Sequence, residues 1–107
     1  MAETLRQKQS RFVRMVARLL LHADILGYEV TFGDAWAHAE DGRHVKNSNH
    51  YIRLAIDLNL FSNGRYLRST EAHRPLGEYW ESIGGTWGGS KNRSDGNHYS
   101  LEHNGMW

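Results

Sequence analysis

The stretch that most constrains this chain is "LAIDLNLF", residues 54–61, in which aliphatic residues occupy every second position. Successive side chains of a strand point to opposite faces. The aliphatic side chains therefore share one face of a predicted half-buried strand: Leu54, Ile56, Leu58 and Leu60. The other face carries Asp57 between Ala55 and Asn59. Because a charged side chain is rarely buried unless it is paired or bound to a metal, Asp57 needs a partner.

Patterns elsewhere in the chain predict the elements around this strand. An amphipathic helix is expected from about Ala2 to Leu26, ending at Gly27. "YEVTF" alternates like a short strand, and "RYL" is expected to pair back as a hairpin. Pro75 begins a predicted short helix, "PLGEYWESI", and "HYSLEH" predicts a final strand. The fold class is therefore α+β, a small antiparallel sheet with a long N-terminal helix and a short second helix.

Length and charge limit the classes of protein to consider. A chain of 107 residues holds one core, so we expect a single domain over residues 1–107. The net charge of +1 gives no reason to expect nucleic acid as a partner. The absence of cysteine excludes disulfides and thiolate chemistry. No secretory signal and no long apolar run are found, which predicts a cytoplasmic origin without membrane insertion.

The chain has seven histidines, and the useful question is whether two of them can meet a carboxylate. His50 precedes the clearest strand, Asp57 lies within it, and His98 begins the last predicted strand. If these strands pair, two imidazoles and one carboxylate converge, which is a ligand set of catalytic zinc. A second carboxylate is then needed as general base, and Asp95 lies three residues before His98. Satisfied core histidines with an exposed aspartate remain the alternative.

Two short motifs carry a family resemblance. "SNHYIRLAID" fits the pattern S-x-H-x(6)-D, and "DGNHYS" fits the later pattern D/E-x-x-H. In this order and separation they resemble the motifs of zinc peptidases that cut peptidoglycan stem peptides. These are the D-alanyl-D-alanine carboxypeptidases and dipeptidases and the L-alanyl-D-glutamate endopeptidases that serve as phage endolysins. The likeness to short phage-encoded members extends from Leu5 to Gly105, and it implies the fold shared with the hedgehog signalling domain.

The resemblance implies a role for each matching residue. His50, Asp57 and His98 bind zinc (Zn²⁺), and Asp95 activates the water and then protonates the leaving amine. Contact with substrate is expected at four further positions: Ser48, Arg43, Arg53 and Trp87. A structural role for Ser48 and a buried ring beside a tight turn for Trp87 are the alternatives. Apart from the resemblance, two glutamates three positions apart on the predicted short helix are alternatives to Asp95 as the acid-base group, although a helix-surface role is preferred for both: Glu78 and Glu81.

Two positions depart from the family pattern. Arg53 stands where the fuller first motif has glycine. The phage-type sequences also have arginine at this position. Ala37 stands where many members have an arginine that stabilises the developing oxyanion, a contribution of about 3 kcal/mol. Either Arg43 or Arg53 supplies this charge, or the loop has been rebuilt around "HAEDGRHVKNS". Both alternatives stay open.

The function predicted from this resemblance is hydrolysis of a peptidoglycan stem peptide at an L-alanyl-D-glutamate or D-alanine-containing bond. As a phage endolysin, the protein is expected to be a monomer that stays in the host cytoplasm until lysis. A holin-like partner would then release it to the cell wall in the periplasm. One alternative is a catalytically altered, zinc-containing structural or cell-wall-binding module of a virion. Another is a histidine-asparagine metal nuclease, which the near-neutral charge disfavours.

Overall fold

The computed structural model describes residues 2–35, 49–50, 52–90 and 94–107. The helices and strands follow one another in the order α1 (Leu5–Ile25), β1 (Glu29–Phe32), β2 (Ala55–Ser62), β3 (Arg65–Leu67), α2 (Arg74–Ser82), β4 (Thr86–Trp87) and β5 (His98–Ser100). Single turns of 3-10 helix lie at Glu71–His73, before α2, and at Gly88–Ser90, after β4. The predicted α+β class, with its long first helix and short second helix, is confirmed.

Strand β2 is the centre of an antiparallel sheet whose main order is β1-β2-β5-β4. β1 pairs with β2 in a register that sets Phe32 opposite Leu58. β3 also pairs with β2, as the predicted hairpin. β5 pairs with the first part of β2, and this register places His98 directly opposite Asp57. The strand pairing on which the predicted metal site depends is therefore present.

The core lies on one face of β2, against the two helices. The predicted inward face is buried at every position: Leu54, Ile56, Leu58 and Leu60. The helices contribute six further buried apolar side chains: Phe12, Met15, Leu19, Ala23, Leu76 and Trp80. Full burial of an aliphatic or aromatic side chain contributes about 1.5–3 kcal/mol, so these contacts together decide which face of β2 turns inward. Asp57, on the opposite face, is consequently directed away from the core.

Helix α1 begins at a capping box. The Thr4 hydroxyl oxygen accepts a hydrogen bond from the Gln7 N–H at 3.1 Å, and the Gln7 side chain accepts one from the Thr4 N–H at 2.9 Å. This cap sets the start at Leu5, three residues later than the apolar pattern alone predicts. After the helix, Gly27 adopts φ +88°, a conformation that favours glycine. Among the described residues, no helix has the apolar length that crossing a membrane requires.

Candidate active site

Asp57 is held on the outer face of the sheet by backbone contacts along β2. Its carbonyl accepts a hydrogen bond from the Gly33 N–H at 2.8 Å, and its N–H donates to the Asp34 carbonyl at 2.8 Å. Gly33 lies so near that a Cβ added to it would be 3.1 Å from the Asp57 Cβ. The Gly33–Asp34 dipeptide therefore extends the β1 side of the sheet past the site. Nothing in the sequence pattern indicates this pairing, because the dipeptide follows the alternating segment.

His50 lies in the turn before β2 and is 2% exposed. The neighbouring Asn49 is 1% exposed, and its amide donates hydrogen bonds to the carbonyls of Leu101 at 2.6 Å and Met106 at 2.9 Å. The Leu54 N–H in turn donates to the Asn49 carbonyl at 2.9 Å. The turn that carries His50 is thus fixed by the C-terminal segment of the chain. This support is absent from the sequence-based prediction.

The three residues predicted to bind metal converge on one point. His50 Nε2 lies 3.2 Å from Asp57 Oδ1, and His98 Nδ1 lies 3.3 Å from the same oxygen. One ligand atom from each residue lies within 4.8 Å of the other two. Tetrahedral zinc with bonds of about 2.0–2.1 Å separates its ligand atoms by about 3.4 Å. Both the donor types and their spacing therefore fit zinc, with three protein ligands.

The charge state of Asp57 also suits a cation. Burial raises the pKa of its carboxyl, but hydrogen bonds from His50 and then His98 outweigh that effect and bring the pKa down to about 2. The side chain is consequently an anion at neutral pH, the form in which a carboxylate binds metal. A half-buried anion between two imidazole rings is a favourable place for a divalent ion.

Asp95 lies in the turn that leads into β5. Its carbonyl accepts a hydrogen bond from the His98 N–H at 3.1 Å, and its side chain is half-buried. A Cβ added to Gly88 would lie 3.1 Å from the Cβ atoms of both Asp95 and His98. The two side chains therefore start from neighbouring points beside Gly88, and the acid-base role of Asp95 stays a prediction.

The alternative acid-base residues on α2 have other surroundings. Glu81 Oε2 accepts hydrogen bonds from the Ser90 hydroxyl at 2.5 Å and from the Trp87 N–H at 3.4 Å. It therefore ties α2 to the segment after β4. Glu78 is exposed on the helix surface. Like Asp95, neither residue belongs to the described cluster of His50, Asp57 and His98.

The structure describes only two of the four residues predicted to contact substrate, Arg53 and Trp87. Three positions lie outside the described residues: Ser48, Arg43 and Ala37, which stands where many family members have arginine. Arg53 adopts φ +60° and borders an apolar groove beside Phe12 on α1. Its predicted contact with substrate stays a prediction.

Of the two interpretations of Trp87, a residue that lines the cleft and a buried ring beside a tight turn, the structure agrees with the second. Its side chain is 1% exposed, and the indole N–H donates to the Gly96 carbonyl at 2.6 Å. A side chain that is buried and directed at the backbone offers no surface to a substrate. Trp87 is therefore part of the hydrophobic core, where the large apolar ring is better stabilised than at the surface.

A buried polar pair lies on the opposite side of β5 from His98. His73 Nδ1 is 2.7 Å from the Tyr99 hydroxyl, and the two residues are 2% and 0% exposed. Burial lowers the pKa of His73 to about 4 and raises the pKa of the Tyr99 hydroxyl. The sequence-based prediction did not identify this pair, because it depends on contact between two distant segments.

Stability should decline in mild acid because of His73. Its pKa is about 4 in the folded state and about 6.5 when unfolded, so the unfolded chain binds the proton more tightly. The contribution of neutral His73 to the free energy of unfolding is complete above about pH 6.5. It is lost as the pH falls towards 4, by at most about 1.4 kcal/mol per pH unit. Urea unfolding between these pH values should show this slope, and His73→Asn should flatten it. His103→Asn is the control; equal slopes for the wild type and His73→Asn would contradict the prediction.

The comparison with known families agrees with the geometry. A family model described as D-alanyl-D-alanine carboxypeptidase matches residues 41–101, which is more than half of the chain. The chain therefore belongs to this peptidase family. The matched region contains His50, Asp57, Asp95 and His98. No curated protein matches the chain.

Proposed function

We propose that this protein is a zinc-dependent peptidase that acts on the stem peptide of peptidoglycan. Membership of the D-alanyl-D-alanine carboxypeptidase family supports the peptidase class. The observation that carries the metal assignment is the convergence of His50 Nε2 and His98 Nδ1 on Asp57 Oδ1. Two imidazoles and one carboxylate are a ligand set of hydrolytic zinc sites, in which a fourth position is left for water or substrate.

Hydrolysis would need two kinds of side chain from this protein, ligands for the metal and a group that transfers protons. Zinc, when bound, supplies a Lewis acid that polarises the scissile carbonyl and activates water. His50, Asp57 and His98 would hold the ion through the three atoms that converge in the structure. The Asp95 carboxylate accepts a proton from the attacking water and returns it to the departing nitrogen. The half-buried position of Asp95 beside His98 supports this assignment.

The substrate and setting follow from the family resemblance of "SNHYIRLAID" and "DGNHYS". The bond cut is L-alanyl-D-glutamate or a D-alanine-containing linkage of the stem peptide. The protein acts as a phage endolysin, held in the host cytoplasm until a holin-like partner gives it access to the cell wall. It needs neither nucleic acid nor insertion into a membrane for this activity.

Removal of the metal provides the direct test. The purified protein should hydrolyse isolated peptidoglycan, lose that activity with a chelator, and regain it when Zn²⁺ is added, because the residues of the site suit zinc. Release of soluble fragments measures the reaction, and Asp57→Asn serves as a metal-deficient control. Activity that survives thorough chelation would contradict the zinc mechanism. Sedimentation of the protein with peptidoglycan, with no new peptide termini formed, would favour a wall-binding module.

Mass spectrometry of the digest identifies the bond. Cleavage of L-alanyl-D-glutamate exposes a new amino terminus on glutamate, whereas a carboxypeptidase releases free D-alanine. Either product supports the proposed substrate class and decides between the two linkages. Cleavage of DNA with added metal, in the absence of both products, would favour the nuclease alternative.

A further inference from the structure

Two glycines, which have no side chain, lie against the Trp87 indole ring. A Cβ added to Gly77 of α2 would lie 2.1 Å from the indole ring, and one added to Gly89 would lie 2.4 Å from it. Such close approach leaves the ring almost no freedom to tilt or slide. The indole is therefore a rigid support between α2 and the turn that follows β4.

This support holds the segment that contains Asp95. The Trp87 indole N–H donates to the carbonyl of Gly96, the next residue, at 2.6 Å. Gly96 is packed on Thr70 so closely that an added Cβ would be 2.6 Å from the Thr70 Cα. On the other side, a Cβ added to Gly88 would be 2.3 Å from the Asp95 carbonyl oxygen. The turn is thus fixed by three contacts, and the indole supplies a buried hydrogen bond among them.

His98 has its own support, which does not depend on the Trp87 indole N–H. It is paired with Asp57 across β5 and β2, and the Leu58 N–H donates to the carbonyl of the preceding Asn97 at 2.9 Å. Asp95 precedes the strand and has no place in this ladder. Loss of the indole N–H should consequently displace Asp95 more than His98.

We propose that Trp87 is a positioning residue for Asp95, acting through the Gly96 carbonyl to set the distance between the acid-base carboxylate and the metal ligands. The inference deepens the proposed function and rests on it, since Asp95 needs accurate placement only if it transfers protons. Trp87 itself touches no reacting atom.

Trp87→Phe is the test variant, because it keeps most of the ring and removes the donor. Trp80→Phe is a matched control: Trp80 is also buried, has Gly85 against its ring, and donates its indole N–H to the Ser100 carbonyl at 2.9 Å. Both variants should lower the midpoint of urea unfolding. Only Trp87→Phe should reduce kcat, by about 10- to 100-fold, since a displacement of about 1 Å can have that effect.

A measurement of zinc affinity distinguishes a displaced Asp95 from a disrupted metal site. In Trp87→Phe this affinity should change by much less than the roughly 10- to 100-fold that disturbing a ligand's support costs. Equal kcat values for the two variants, or a loss of zinc affinity that accounts for the loss of kcat, would overturn the inference. Trp87→Leu, which also removes the indole donor, should show the same split and is the second variant if Trp87→Phe does not fold.

Amide hydrogen exchange tests the structural part without substrate or metal. In Trp87→Phe, the His98 N–H, which donates to the Asp95 carbonyl, should exchange faster, while the Leu58 N–H stays protected. In Trp80→Phe the ratio of the two rates should not change, and an unchanged ratio in Trp87→Phe would also overturn the inference. If the exchange result holds but the wild type cuts no peptidoglycan, the proposed function fails and the support of the turn by Trp87 stands.

Discussion

Asp95→Asn is expected to stop peptide hydrolysis while leaving zinc binding intact. Asparagine has nearly the same shape as aspartate but cannot accept the proton of the attacking water. General acid-base groups contribute about 10²- to 10⁴-fold to rate, so kcat should fall by that amount. Asp95 is three residues from the nearest clustered histidine, and His98 is held by strand pairing, so the ligands should keep their places. Fragment release from peptidoglycan and zinc titration measure the two properties separately.

Glu78→Gln is the matched control for this prediction. It makes the same change from carboxylate to amide, on the exposed face of α2, and should leave kcat within experimental error of the wild type. Normal hydrolysis by Asp95→Asn would show that another group transfers the proton. Loss of activity in Glu78→Gln would reassign the acid-base role to the helix.

Asp57→Asn is expected to abolish metal binding and, with it, activity. Asp57 Oδ1 is the atom on which His50 Nε2 and His98 Nδ1 converge, and its carboxylate is the one anion of the three-residue cluster. Even loss of a group that only supports a ligand costs about 10- to 100-fold in metal affinity, so loss of this ligand should exceed about 100-fold. Competition with a zinc-binding dye measures the affinity without any assay of activity.

Asp24→Asn is the control for the metal prediction. Asp24 is exposed on α1, so the substitution removes one negative charge from the protein without touching the cluster. Zinc affinity should then match that of the wild type. If Asp57→Asn bound zinc as tightly as Asp24→Asn, the proposed ligand set would be wrong.

The elements with strong periodicity were the ones most accurately predicted. The alternation in "LAIDLNLF" correctly identified the buried face of β2, because burial of Leu54, Ile56, Leu58 and Leu60 depends on a two-residue repeat that the sequence displays. The start of α1 was misplaced by three residues because an apolar repeat does not reveal where a capping box begins. The last strand was expected to extend over "HYSLEH", but the ladder covers only His98–Ser100.

The surroundings of the site could not be predicted, since they depend on contacts between distant segments. Two sets of hydrogen bonds join residues at least 26 positions apart in the chain. One set links Asn49 to Leu101 and Met106, and the other links His73 to Tyr99. The family resemblance implied that Trp87 lines the cleft floor, and a buried ring beside a tight turn was the alternative. Neighbouring glycines allow the ring to be buried against the backbone.

The sequence by itself determined which side of β2 is apolar, and hence that Asp57 must face away from the core. It also indicated which residues to expect at a metal site, because the spacing of the two motifs is a property of the chain alone. Only the tertiary structure decided that these residues meet: the register of β5 on β2 sets His98 opposite Asp57, and the turn held by Asn49 brings His50 to the same oxygen. The physical reason is that periodicity records burial, which is local, whereas register and turn placement depend on packing between segments far apart in the chain.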